Sequence, residues 1–263
     1  MITIPSKVRE RLVSGLKKFQ PIIAKAKDKD INESDTVTII SDLLSDVFGY
    51  DKYTEITSEF SIKKTYCDLA IKLDGQPRML IEVKAAGLNL KEQHVRQAVD
   101  YGANSGIEWI ILTNSNIWKV YKIIFSKPVN TELVYEMDLT QLSPKKQADI
   151  ELLYYLTREA MSKTSKASLD DYLTQKQLLN RFVIGQIILN DLCISAIRKT
   201  IKKISADAKI SDEEIRQLIA EEIIKRDVLD DEKAKEAKRK VTKALQQTQE
   251  RKPRTKPDEE KTE

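Results

Sequence analysis

The 263-residue chain has one histidine, His94, and two cysteines, Cys67 and Cys193. A single histidine argues against a histidine-based metal site or catalytic triad. Two distant cysteines in apolar surroundings read as buried thiols, not as a disulfide or zinc framework. Glycine and proline, seven each, are too sparse for a low-complexity or fibrous chain. No stretch of 18 apolar residues occurs, and no signal peptide precedes the first helical pattern. The expectation is therefore a soluble, cytoplasmic protein with no membrane partner. A phosphate loop of the form GxxxxGK[ST] is also missing, so no ATP site is expected in this chain. Charge of one sign is not in excess. Lys and Arg number 45 against 41 Asp and Glu, a net +4, and this balance alone says little about nucleic acid.

What the chain does have is a patterned stretch from Tyr66 to Lys84. Cys67, Leu69, Ile71 and Leu73 alternate with Tyr66, Asp68, Ala70 and Lys72. After Asp74-Gly75, a turn signal, Met79, Ile81 and Val83 alternate with Leu80, Glu82 and Lys84. This is a β-hairpin with one apolar face and one face carrying Asp68, Glu82 and Lys84. Both apolar sets must face the same side, because a one-residue slip inverts a strand. Opposed residue numbers must therefore sum to an even value, which requires an odd-length connection or a bulge. A register with Asp68 opposite Glu82 satisfies this and puts their Cβ atoms roughly 5 Å apart. Two such carboxylates repel each other and suit magnesium, a hard cation that takes oxygen ligands and keeps several waters. A neighbouring lysine can steady the attacking water or the charge developing on phosphate. The alternative reading is a solvated strand face, which often carries the same residue types.

Around the hairpin, apolar spacing predicts a helix over 5–27, kinked or divided at Pro21, and a second from Asn32 to Val47, with Gly49 as its cap. A strand is expected over 53–62. Beyond Gly87 a helix is expected from Asn89 to Asn104, with Val95, Ala98, Val99 and Gly102 buried and Gln93, Gln97 and Tyr101 as a polar stripe. Strands follow at 108–113 and 117–125, completing an α/β core at 1–130. From 143 to 249 only helices are expected: 144–161, 171–204, one after the capping box at Ser211, and 231–249. The run FVIGQIILNDLCISAI is apolar on nearly all sides and is expected to be buried in a bundle or against a partner. Residues 250–263 are expected to be a disordered tail.

The span from Glu33 to Tyr121 resembles the N-terminal nuclease domain of type I restriction enzyme R subunits, within the PD-(D/E)xK nuclease superfamily. The resemblance rests on Asn32-Glu33-Ser-Asp-Thr36, Thr57-Ser-Glu59-Phe60, Cys67-Asp68-Leu-Ala-Ile71, Leu80-Ile-Glu82-Val-Lys84-Ala85 and Gln97-Ala-Val-Asp-Tyr101. Glu108-Trp-Ile-Ile-Leu-Thr-Asn114 and Trp118-Lys-Val-Tyr121 complete it. It implies a restriction-endonuclease-like α/β fold with a mixed central sheet flanked by helices, here followed by an all-helical extension. It also implies DNA phosphodiester cleavage with Mg2+, or Mn2+ as a substitute, on double-stranded DNA. Asp68, Glu82 and Glu33 become metal ligands, Lys84 the catalytic lysine, and Gln97 and Tyr101 helix residues reaching the site, with Glu59 in support. Cys67 stands where the superfamily's name has proline. Without the phosphate loop, the reading is a nuclease lacking its own ATPase motor, with a homodimer or another subunit engaged through the C-terminal helices. A catalytically inactive DNA-binding or subunit-interaction protein on the same fold is the alternative. Tyr66 shares the face of Asp68, and Lys63, Lys64, Lys72, Arg78, Lys91 and Arg96 are candidate backbone contacts. His94 is expected to be a solvated helix residue, and Trp109 and Trp118 packing residues.

Overall fold

The computed structural model describes residues 2–62, 65–162 and 168–250. Lys63, Lys64, the side chain of Tyr66 and the expected tail at 251–263 lie outside the described residues. The chain divides into two compact units, Met1–Tyr172 and Leu173–Glu263.

Six strands form one mixed sheet in sequential order: β1 (Ile56–Ile62), β2 (Thr65–Leu73), β3 (Gln76–Val83), β4 (Trp109–Thr113), β5 (Ile117–Ile124) and β6 (Asn130–Asp138). All neighbours are antiparallel except β3 and β4, which are parallel. The expected α/β core with helices around a mixed sheet is what the chain forms. The hairpin register pairs Leu69 with Ile81, Ala70 with Leu80 and Ile71 with Met79, all summing to an even value, so Asp68 and Glu82 come next in register. A bulge between Ile71 and Lys72 then shifts the pairing into a tight turn. Asp74 and Gly75 both have positive φ, 54° and 72°, as a two-residue turn of type I′ demands. The bulge is what reconciles a two-residue turn with the parity of the apolar residues.

Both sheet faces are covered. One carries Leu69, Ile71, Met79, Ile81, Ile111 and Val120, none more than 1 % exposed. Helices α1 (Ser6–Asp28) and α2 (Glu33–Asp46) pack together, and α2 packs on β3. Just after α2, the Phe48 ring meets the indole of Trp118 at 5.4 Å. The other face joins Ala70, Leu80, Ile110, Leu112, Tyr121 and Ile123 to Val95, Ala98 and Tyr101 on the helical segment that crosses from β3 to β4. That segment is a 3-10 turn (Glu92–Val95) leading into α3 (Arg96–Ser105), so the expected helix starts later than Asn89. Gly102 gives α3 its close seat: a Cβ there would meet Ile123 Cδ1 at 2.6 Å and the Ile107 carbonyl at 2.9 Å. Plain alternation lets β5 serve both faces, Trp118 and Val120 on one and Tyr121 and Ile123 on the other.

Several expectations are corrected. Pro21 lies inside α1 and does not divide it. It stands on the exposed face, where the hydrogen bond it forgoes can be replaced by water. The core does not end at 130, because β6 completes the sheet. Two short helices, α4 (Gln147–Tyr154) and α5 (Arg158–Met161), replace the single one expected at 144–161 and belong to the first unit. Arg11 clamps the Glu159 carboxylate with both terminal nitrogens at 2.9 and 2.7 Å, and the Tyr50 hydroxyl donates to the Leu156 carbonyl at 2.9 Å.

The long helix expected over 171–204 is three: α6 (Leu169–Leu178), α7 (Arg181–Ile188) and α8 (Asp191–Ile204). Asn180 accepts from the Phe182 and Val183 amides, and Asn190 from the Leu192 amide. Asn180 starts α7 just before the apolar run, and Asn190 starts α8 within it. The run is also less buried than expected, with Leu192 65 % exposed. The Ser211 capping box forms with Glu214 at the start of α9 (Asp212–Leu218). A π turn, α10 (Arg226–Asp230) and α11 (Glu232–Glu250) follow. No helix among the described residues is long and apolar enough to cross a membrane.

Candidate active site

The hairpin and the parallel joint between β3 and β4 place the acidic and basic groups at one end of the sheet. Asp68 on β2 accepts the Val83 amide at 2.7 Å through Oδ2. Its side chain is thereby fixed toward the strand that carries Glu82. The β1–β2 ladder pairs Ser58 with Leu69 and Phe60 with Cys67, passing over Glu59 and Asp68. Glu59 has φ 47° and is exposed. The irregularity also moves Cys67 out of strict alternation. It packs with Ala70 and Leu80, not with Leu69 and Ile71 as the period-2 pattern predicts.

Glu82, 7 % exposed, points to the same end. Lys84 follows β3 directly, its amide donating to the Thr113 carbonyl at 2.8 Å. Its ammonium lies 2.8 Å from Glu82 Oε1 and 3.3 Å from Glu33 Oε2. Glu33 is the first residue of α2, whose start is fixed by Asn32 accepting from the Asp35 amide. Four residues from three parts of the sequence thus share one locality.

Burial is the main reason that the Asp68 and Glu82 carboxyls titrate above their ordinary range. The Val83 amide and Lys84 oppose this at Asp68, while Lys84 opposes it and Asp68 adds to it at Glu82. Burial pulls Lys84 down, but the hydrogen bond to Glu82 and the nearby carboxylates outweigh it, so the ammonium is held above the usual lysine value. The Cys67 thiol is pushed up to about 12 by burial, then by Glu82 and Asp68. It donates to the Ile81 carbonyl at 3.2 Å and is not a nucleophile at neutral pH.

Tyr101 does not join the polar group. It is 3 % exposed, its ring tilted against that of Phe60 at 5.9 Å, and its buried hydroxyl has no hydrogen-bond partner among the described residues. Burial, then Cys67, lifts that hydroxyl to about 12. Gln97 and Gln93 are on the exposed side of the same segment. His94 Nδ1 accepts the Lys91 amide at 3.2 Å, and Trp109 and Trp118 pack in the core. The Lys72 ammonium sits 4.8 Å from the Phe60 ring centre.

Sequence reading missed the residues that hold the connection after Lys84. Asn114 Nδ2 donates to the Leu88 carbonyl at 2.8 Å, and Lys119 Nζ to the Leu90 carbonyl at 3.3 Å. Asn114-Ser115-Asn116 reads as an ordinary turn, yet all three are buried. Polar residues between two apolar strands were the available signal.

Among the described residues, no three His, Cys, Asp or Glu side chains form a group that could hold a metal ion. Glu33 meets Lys84. Asp68 and Glu82 nonetheless form a hard oxygen pair whose burial works against negative charge, and a cation is the natural counterweight. Two protein carboxylates are within what magnesium uses when water completes its shell.

Residues 38–137 match the family described as type I restriction enzyme R protein N terminus (HSDR_N). The match spans α2 to β6 and includes Asp68, Glu82, Lys84, Gln97 and Tyr101. Glu33 lies just before it. The family implies restriction-related nuclease function for this segment. No curated protein and no solved structure matches the chain.

Proposed function

We propose that the chain is a magnesium-dependent endonuclease that hydrolyses phosphodiester bonds of double-stranded DNA without an ATPase motor of its own. The observation that carries this reading is the convergence of Asp68, Glu82 and Lys84 at one sheet end, inside the family-matched segment. Asp68 and Glu82 would hold the ion through their carboxylate oxygens, and manganese, with similar oxygen preferences, would substitute. A bound magnesium ion supplies charge neutralisation at phosphate and a water of lowered pKa. The chain's own part is positioning and charge. The Val83 amide orients Asp68, and the half-buried Lys84 stays protonated to face a phosphoryl oxygen.

Calorimetric titration of magnesium into the wild type and Glu82→Gln tests the ion site. The amide keeps the size of Glu82 and an oxygen for Lys84. Affinity is expected to fall at least about tenfold in the variant, the lower bound for even an outer partner of a metal ligand. Equal binding by both proteins would remove Glu82 from the site.

The pairing of Lys84 with both Glu82 and Glu33 favours a second reading, a non-cutting DNA-binding module that has kept the fold. Plasmid incubated with protein and magnesium separates the two: a non-cutting module retards the DNA and leaves it intact.

A further inference from the structure

Helix α11 is seated in the second unit through small residues. Ala234 and Ala237 are buried, at 1 % and 5 % exposure, and the helix packs on α7. Seating through alanines brings one side of the helix close to its support and leaves the longer side chains outside. Lys235, Lys238, Arg239 and Lys243 fall on adjoining rows of that outer side, three and four residues apart. With Thr242 and Gln246 they line one shallow depression. No carboxylate lines it, in a chain where 41 residues are acidic. Lys235 pairs with Glu232 at 2.6 Å. Among the described residues, no carboxylate pairs with Lys238, Arg239 or Lys243.

From this we infer that the outer face of α11 is a sequence-independent binding surface for the phosphate backbone of duplex nucleic acid, separate from the residues of the candidate active site. The chemistry fits on three counts. Unpaired cations displace the counterions condensed on a duplex, which is the source of non-specific affinity. Thr and Gln side chains donate to phosphate oxygens and carry no base information. From Lys235 to Lys243 the helix rises about 12 Å, on the scale of a major-groove width of about 12 Å, so the four cations can follow one backbone segment.

The test is fluorescence anisotropy with a labelled duplex of arbitrary sequence, in chelator and without divalent metal, over a salt series. The full chain is compared with Lys238→Gln/Arg239→Gln/Lys243→Gln, whose helical content is checked by circular dichroism. The variant is expected to bind at least tenfold more weakly at low salt. Its slope of log affinity against log salt should be shallower by about 2 to 3, for three lost phosphate contacts. Unchanged affinity and slope overturn the proposal. So does equal loss of binding to polyglutamate, which would make the face a general polyanion or acidic-protein site. Magnesium-dependent plasmid cleavage by the wild type, assayed separately, keeps the outcomes distinct. Loss of duplex binding by the triple variant in chelator supports the α11 surface whether or not the wild type cuts DNA.

Discussion

Asp68→Asn and Asp68→Ala should each lower magnesium-dependent cleavage of plasmid DNA by at least about 100-fold, the scale on which metal-ligand environments affect activity. The pair of variants separates chemistry from folding. Asp68 Oδ2 accepts the Val83 amide at 2.7 Å, and asparagine offers an oxygen in the same place. Alanine leaves that amide without its partner, at a cost of about 1–3 kcal/mol. The asparagine variant should therefore unfold in urea close to the wild type and still fail to cut, whereas the alanine variant should fail on both measures. Wild-type cutting by Asp68→Asn would take Asp68 out of the site.

The largest expected effect on stability is at Trp118. Its side chain is fully buried, the ring packs against Phe48 at 5.4 Å, and Nε1 donates to the Ser115 carbonyl at 2.8 Å. Trp118→Ala removes the ring, opens a cavity under the sheet and strands the carbonyl of a buried turn. A loss of about 3–5 kcal/mol is expected, read from urea denaturation. Trp118→Phe keeps most of the ring contact, gives up the hydrogen bond, and should cost nearer 1 kcal/mol for that bond. A midpoint for Trp118→Ala close to that of the wild type would show that the ring is not part of the core.

The hairpin was legible because two independent signals agreed: a period of two in both strands and Asp74-Gly75 between them. Their parity conflict even called for the bulge that lies at Ile71 and Lys72. Tyr101 was misplaced because i+4 spacing from Gln97 was taken as one polar row. Both lie in α3, where four residues turn the side chain about 40° further round the axis. Counted from Ala98, Tyr101 is three residues on and joins the buried side. The strand β6 was hidden because the register shift opposite Val120 and Tyr121 spoils alternation over 130–138. In the second unit the apolar run concealed two helix starts that Asn180 and Asn190 announce. The proximity of Glu33 to Lys84 is a tertiary fact. Local spacing cannot supply it; only the resemblance placed Glu33 near the site.

The sheet's sequential order bears on how the molecule assembles. Each antiparallel pair joins neighbours in the chain through a short connection, so its loop-closure entropy is small. The parallel joint of β3 with β4 is different, because residues 84–108 must first be gathered over the sheet. That joint seats Lys84 against Thr113 and brings α3 onto the sheet. The most entropically demanding contact in the sheet is thus the one that builds the candidate active site, and a nascent chain holding only the hairpin carries its acidic pair before the surroundings that would let it act.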